Sequence, residues 1–166
     1  MSKTQFIDPG PRKPSDAELD AFWDRARKAV PGLGADYQVR WIGIDEETTG
    51  LIIAFIKSGE KTGTFTLPWI NAAKGQPRSE VGDHIVLIAY DGTPTLAVEL
   101  TDVRETQFGR ITADDTAIDG PPVRALEDWI PLHRRYWSGL LKPYGRTVTD
   151  DMPVLIEPFR LLYAEP

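Results

Sequence analysis

The sequence predicts an α+β protein: a small, mainly antiparallel β-barrel with flanking helices. Strand-like segments outnumber helical ones, they follow one another mostly in hairpin order, and the helical stripes fall where a helix can plug a barrel end. A chain of 166 residues, 41% hydrophobic and 10% aromatic, is long enough for one such domain with a real core. Residues 1–14, rich in proline and glycine, read as an extended N-terminal arm, and residues 15–166 as a single domain.

The first helix opens on "PSDAEL", a capping box with Ser15 as N-cap and Glu18 reaching back to the free amides. Leu19, Phe22, Trp23, Ala26 and Val30 follow at helical spacing, and Pro31-Gly32 stops the helix. Tyr37, Val39 and Trp41 alternate with Gln38 and Arg40, the signature of a half-buried strand. "TGLIIAFIKSG" carries Leu51, Ile52, Phe55 and Ile56 on one helical face, and Gly59 suits a left-handed helix end. Its isoleucines also fit a strand; the turn chemistry that follows favours the helix.

After Gly59 the period becomes two. Thr62, Thr64 and Thr66 point one way, and Phe65 and Leu67 the other, as in a strand bordering a cleft. "INAAKGQPRSEVGD" reads as a loop. "HIVLIAY" and "TLAVELTDV" are strands joined across Asp91-Gly92, a strong hairpin signal. "ITADDTAIDGPP" is a polar, turn-rich connection. Leu126, Trp129, Ile130, His133 and Trp137 form a helical stripe, which Pro131 is expected to kink or split in two. "VLIEPFRLLY" is the final strand.

Composition excludes several classes of function. Without cysteine there is no disulfide, thiol nucleophile or thiolate metal site. No apolar run approaches membrane-spanning length and the start lacks a leader-like apolar region, so a cytoplasmic protein with no membrane association is the expectation. A net charge of −6 argues against nonspecific polyanion binding. The charge is uneven, however: residues 97–120 carry six acids against two arginines, whereas 121–146 carry five bases against Glu127 and Asp128. A local basic face or a mixed solvated surface both fit that pattern.

"GEKT" around Lys61 is not a phosphate-binding loop, because the upstream glycine spacing is absent and the order is helix then strand. His84 and His133 belong to no spaced ligand pair, so neither a metal nor any other cofactor is expected. Asp114-Asp115 and Asp150-Asp151 read as turn acids. Taken alone, Lys61 is a solvated turn lysine and Thr64 a strand hydroxyl. A lysine acts as a base only if burial disfavours its charge, and a threonine as a nucleophile only with a base against it.

Several short elements, in order, resemble the ASCH (activating signal cointegrator homology) family, which shares the PUA-like barrel. They are G-x-K-x-x-T at Gly59 to Thr64, "VGD" at Val81-Gly82-Asp83, "DGTPTLAVELTDV", and Ala117-Ile118-Asp119-Gly120 feeding Trp129, His133 and Tyr136 or Trp137. "AFWDRARKAVPGL" is similar to the opening helix of larger bacterial members. The small members often place an arginine two residues after the threonine, where this chain has Thr66, and Asp119 is the nearest match to the family's acid.

The resemblance implies an RNA or modified-nucleoside partner bound in a cleft beside the barrel. Some members are amidohydrolases that deacetylate N4-acetylcytidine with a lysine, a threonine and a glutamate; others are described as metal-independent ribonucleases or noncatalytic RNA-binding modules. Carried over, the triad is Lys61, Thr64 and Asp119: Thr64 attacks the acyl carbon, Lys61 takes its proton and Asp119 orients the assembly. Gly59, Thr62 and Gly63 would line the substrate, the Gly59 and Gly63 amides facing an oxyanion. Trp69 either stacks on a base or packs in the barrel, Trp129 and His133 form a cleft wall or a core edge, and Arg78, Arg134 and Arg135 would touch RNA in a binding module. The overall acidity suits a small neutral substrate better than a long RNA.

Overall fold

The computed structural model describes residues 12–166 and the backbone of Thr4–Gln5; most of the arm expected over 1–14 lies outside them. The described residues form a seven-stranded mixed sheet, curled into a half-barrel, with five α-helices. The strands are β1 (Thr4–Gln5), β2 (Gln38–Trp41), β3 (Gly63–Thr66), β4 (His84–Ile88), β5 (Pro94–Leu100), β6 (Arg104–Gln107) and β7 (Pro153–Ala164). Four pairings are antiparallel, β4/β5, β5/β7, β3/β7 and β6/β7, while β2 runs parallel to β1 and β4. The mainly antiparallel α+β expectation is therefore met.

Strand β7 organises the curl. Its first half pairs with β3 and β6, and from Phe159 onward it pairs with β5. Pro158, which has no amide to donate, sits where the partner changes.

Helix α1 (Asp16–Ala29) has the expected capping box, with Ser15 and Glu18 both bonded. Its stripe of Leu19, Phe22, Trp23 and Ala26 is buried against Val39, Val86, Ile88 and Ala97 on one face of the sheet. Val30 is the half-exposed C-cap and no part of that stripe. Helix α2 (Glu46–Ser58) covers the other face, packing Ile56 on Ile85, Leu87, Leu96, Val98 and Phe159. It starts earlier than the apolar run suggests, because Asp45 and Thr48 build a capping box ahead of it. Leu51, expected on its apolar face, is exposed.

Three more expectations are corrected. The segment after Leu67 is not all loop: α3 (Pro68–Ala73) starts at a proline suited to the first helical turn. The polar connection holds β6 before it and the short α4 (Ala113–Thr116) within it, capped by Thr112 and Asp115. Pro131 does not split the stripe into two helices, since α5 (Leu126–Leu141) runs through it. The proline falls in the second turn, where a single amide bond is lost. Trp129, Trp137 and Leu141 of α5 are buried with Phe108, Met152 and Val154.

Candidate functional site

The route to Lys61 starts at the end of α2. Gly59 takes the left-handed conformation, φ 81°, and the chain doubles back so that the Glu60 and Lys61 amides both donate to Phe55 O, at 2.9 and 3.0 Å. This end turns the lysine inward. The Thr62 amide then donates to Ile118 O and its carbonyl accepts from Phe159, which pins the segment to the acidic loop and to β7. At Gly63 a Cβ would lie 2.4 Å from Ile118 Cδ1 and 2.9 Å from Glu157 O, so only glycine fits.

Asp119 reaches the same place from the loop after α4. Thr116, fully buried, donates to Arg124 O, and the Asp119 amide donates to Thr116 O. The Arg124 guanidinium donates to Asp119 O at 3.0 Å and to Glu60 O at 2.5 Å. One side chain thereby ties the two loops together at the residues that flank or form the pair.

Lys61 Nζ donates to Asp119 Oδ1 at 2.8 Å, with side-chain exposures of 5% and 9%. Oδ1 also accepts from the Gly120 amide at 2.8 Å, and Oδ2 from the Trp129 indole at 3.0 Å. Burial opposes the charge on Asp119, yet the attraction and hydrogen bond of Lys61, helped by the Gly120 amide, hold its pKa below the ordinary carboxylate value. His133 stacks on Trp129, ring centroids 3.8 Å apart, with Nε2 4.0 Å from Asp119 Oδ2. Burial pushes His133 down to about 4, against the opposing pull of the Trp129 carbonyl and Asp119. Phe65 closes the cluster edge-on to Trp129.

A second buried network lies across β3. Thr64 is paired with Glu157 in the β3/β7 register, and directly opposed residues share a face. Glu157, with no exposed surface, accepts from Thr66 Oγ1 at 2.5 Å and from Arg40 Nη1 at 2.8 Å. Arg40 Nη2 also donates to Gln38 at 3.1 Å and to buried Ser79 at 3.0 Å. Thr64 and Thr66 alternate with Phe65, so they face this network, whereas Phe65 and Lys61 face α5. Among the described residues no hydrogen bond joins Thr64 to Lys61.

The structure thus brings Lys61, Asp119, Trp129 and His133 together and leaves Thr64 on the other side of its strand. The glycine amides do not converge on an oxyanion site: Gly59 N donates to Ile56 O, and Gly63 is sealed between Ile118 and β7. The Thr62 side chain is exposed. Trp129 is fully buried and holds Asp119, so it is no platform for a ligand. Trp69 packs against the α5 core and carries the Arg146 guanidinium on its ring at 4.3 Å, the position a stacked base would take. Arg78 pairs with Glu105 at the surface.

Arg40, Glu157 and Arg124 escaped the sequence reading. The first two had a signal: a lone acid in the apolar run "VLIEPF" and an arginine in an alternating strand both call for buried partners. Arg124 had none, since its role is to meet two backbone carbonyls.

Two surface hollows, of 320 Å³ beside Asp24, Arg27 and Leu33 and 430 Å³ beside Gln107, Arg110 and Asp151, include none of these residues; hydrogen-bonding capacity, not hollow size, picks out the Lys61 cluster. Among the described residues no group of three or more histidines or acids is placed to hold a metal, and no helix is long and apolar enough to cross a membrane.

Comparison with known proteins agrees with this architecture. A family model described as the ASCH domain matches residues 40–163. The chain is similar to the crystal structure of an ASCH domain from Lactobacillus crispatus JV V101, with TM-score 0.81 and 23% identity over 89% of this chain and 96% of that one. It is also similar to protein EF3133 from Enterococcus faecalis V583, of the family DUF984, with TM-score 0.79 and 18% identity over 87% and 88% of the two chains. At these identities the likeness is one of fold. No curated protein matches the chain.

Proposed function

The chain belongs to the ASCH domain family, and from that premise we propose that it binds RNA or a modified nucleoside through the Lys61–Asp119 site. One observation carries the reading. Lys61 is almost fully buried, and among the described residues its ammonium has Asp119 Oδ1 as acceptor, although it offers three N–H donors. Donors held out of water need partners, and a carbonyl or phosphate oxygen of a ligand supplies them. The protein's acidity restricts the contact to a few nucleotides or one nucleoside, because long-range attraction for a polyanion is weak.

A second reading, hydrolysis of an N4-acetylated cytidine, is favoured by the convergence of Lys61 and Asp119, two of the three residues that the family resemblance assigns. There the resemblance has Thr64 attack the acyl carbon, cytidine leave with the proton on its amino group and water release acetate from the threonine. This requires the Thr64 hydroxyl to turn from the Glu157 face of β3 towards Lys61. The 2.8 Å contact makes Lys61 a donor, which suits polarising the acyl oxygen better than taking the threonine proton. A ribonuclease would use the same donor on a phosphorus oxygen.

Incubation of wild type and Lys61→Ala with N4-acetylcytidine and with a short single-stranded RNA, followed by chromatography and by fluorescence anisotropy, tests both readings. Binding lost in Lys61→Ala without turnover in wild type supports recognition alone, and turnover abolished by the substitution supports hydrolysis. Retention and activity unchanged in Lys61→Ala would remove the site from both.

A further inference from the structure

Two hydrogen-bond acceptors face each other in the Lys61 site. His133 Nδ1 lies 2.9 Å from the Trp129 carbonyl oxygen, which only accepts, so Nδ1 carries the proton. Burial keeps the ring neutral near pH 7, and its Nε2 therefore presents a lone pair. That nitrogen stands 4.0 Å from Asp119 Oδ2, beyond hydrogen-bond reach and acceptor to acceptor. Oδ2 already takes the Trp129 indole proton and has room for another donor. An atom about 2.9 Å from both acceptors would see them roughly 90° apart, a spacing that two N–H bonds of one amino group can meet. Lys61, on the other oxygen of the same carboxylate, offers the opposite polarity.

We infer that His133 Nε2 and Asp119 Oδ2 together receive an exocyclic amino group, while Lys61 donates to the acceptor beside it, so that the site selects a base edge with an amino group next to an acceptor. Cytosine and adenine present that edge. Uracil and hypoxanthine place an oxygen where the amino group sits, and would bring a third lone pair to the two already there. The side chains of Lys61 and His133 are 5% and 13% exposed, which confines the contact to an edge group of the base rather than a whole ring. This assignment rests on the nucleobase reading above and adds which edge is read.

Nitrogen-resolved NMR of the full chain tests it, following the imidazole nitrogens and the Trp129 indole while cytidine, uridine, adenosine and inosine are titrated in turn. The expected ligand-free His133 has its proton on Nδ1, and each amino nucleoside binds about ten-fold tighter than its oxo counterpart. His133→Phe, which keeps a ring on Trp129, should abolish the preference. A proton on Nε2 in the free protein overturns the inference, as does equal binding of amino and oxo partners. In the latter case the nucleobase reading itself survives. If none of the four binds and RNA is not retained either, the proposed function fails and the edge assignment with it. Should His133→Phe not fold, the amino-against-oxo comparison in wild type decides alone.

Discussion

Strand β3 separates two buried ion pairs built from similar parts and satisfied to different extents. On the α2 side, Glu157 accepts on both oxygens and Arg40 donates to Glu157, Gln38 and Ser79. On the α5 side, Lys61 meets one carboxylate oxygen, and an imidazole lone pair looks across a 4.0 Å gap at the other. The first network has both Glu157 oxygens taken and joins β2, β3 and β7. The second is held by Arg124, Trp129 and Gly120 but, among the described residues, leaves donors and acceptors without partners. A buried ion pair alone does not mark a site; what marks one is capacity that the fold positions and does not use.

The largest expected effect falls on the closed network. Arg40→Ala leaves the Glu157 carboxylate buried without its cation, and should cost about 3–5 kcal/mol of stability in chemical denaturation while leaving the Lys61 cluster's chemistry in place. A loss under about 1 kcal/mol would mean that Glu157 is not closed off as described.

A smaller effect, with a pH signature, separates the second network from the first. His133 has a folded pKa of about 4 against an ordinary 6.5, so between those values the unfolded chain binds more protons than the folded one. Stability should therefore fall as pH drops through that window, by on the order of 3 kcal/mol. Asp119, whose pKa is depressed, keeps its contribution above the ordinary carboxylate range and loses it only at lower pH, so the two steps are distinct. The charged groups facing the imidazole are Asp119 and Lys61. His133→Phe should flatten the upper step in a denaturation series from pH 7 to about 4; an unchanged slope would place the titration elsewhere.

Much of this was legible in the sequence because local rules act alone there. Capping at Ser15, the left-handed end at Gly59 and the Asp91-Gly92 hairpin depend on neighbouring residues, and all three form as the residue types dictate. The meeting of Lys61 and Asp119 is not local, and it was suggested only by motif order. Thr64 lies three positions after Lys61, yet in the strand register it is paired with Glu157, on the face opposite Phe65. The partners of Arg40 and Glu157, 117 residues apart, follow from the curl of the sheet, which no short spacing encodes.

The most direct test of which network is the site is a chemical-shift map of the labelled protein titrated with cytidine or a short single-stranded RNA. Shifts centred on the Trp129 indole, His133 and the Gly120 amide, with the Thr66 and Ser79 amides unmoved, are the predicted result. Shifts centred on Thr66, Ser79 and Arg40 instead would contradict the account.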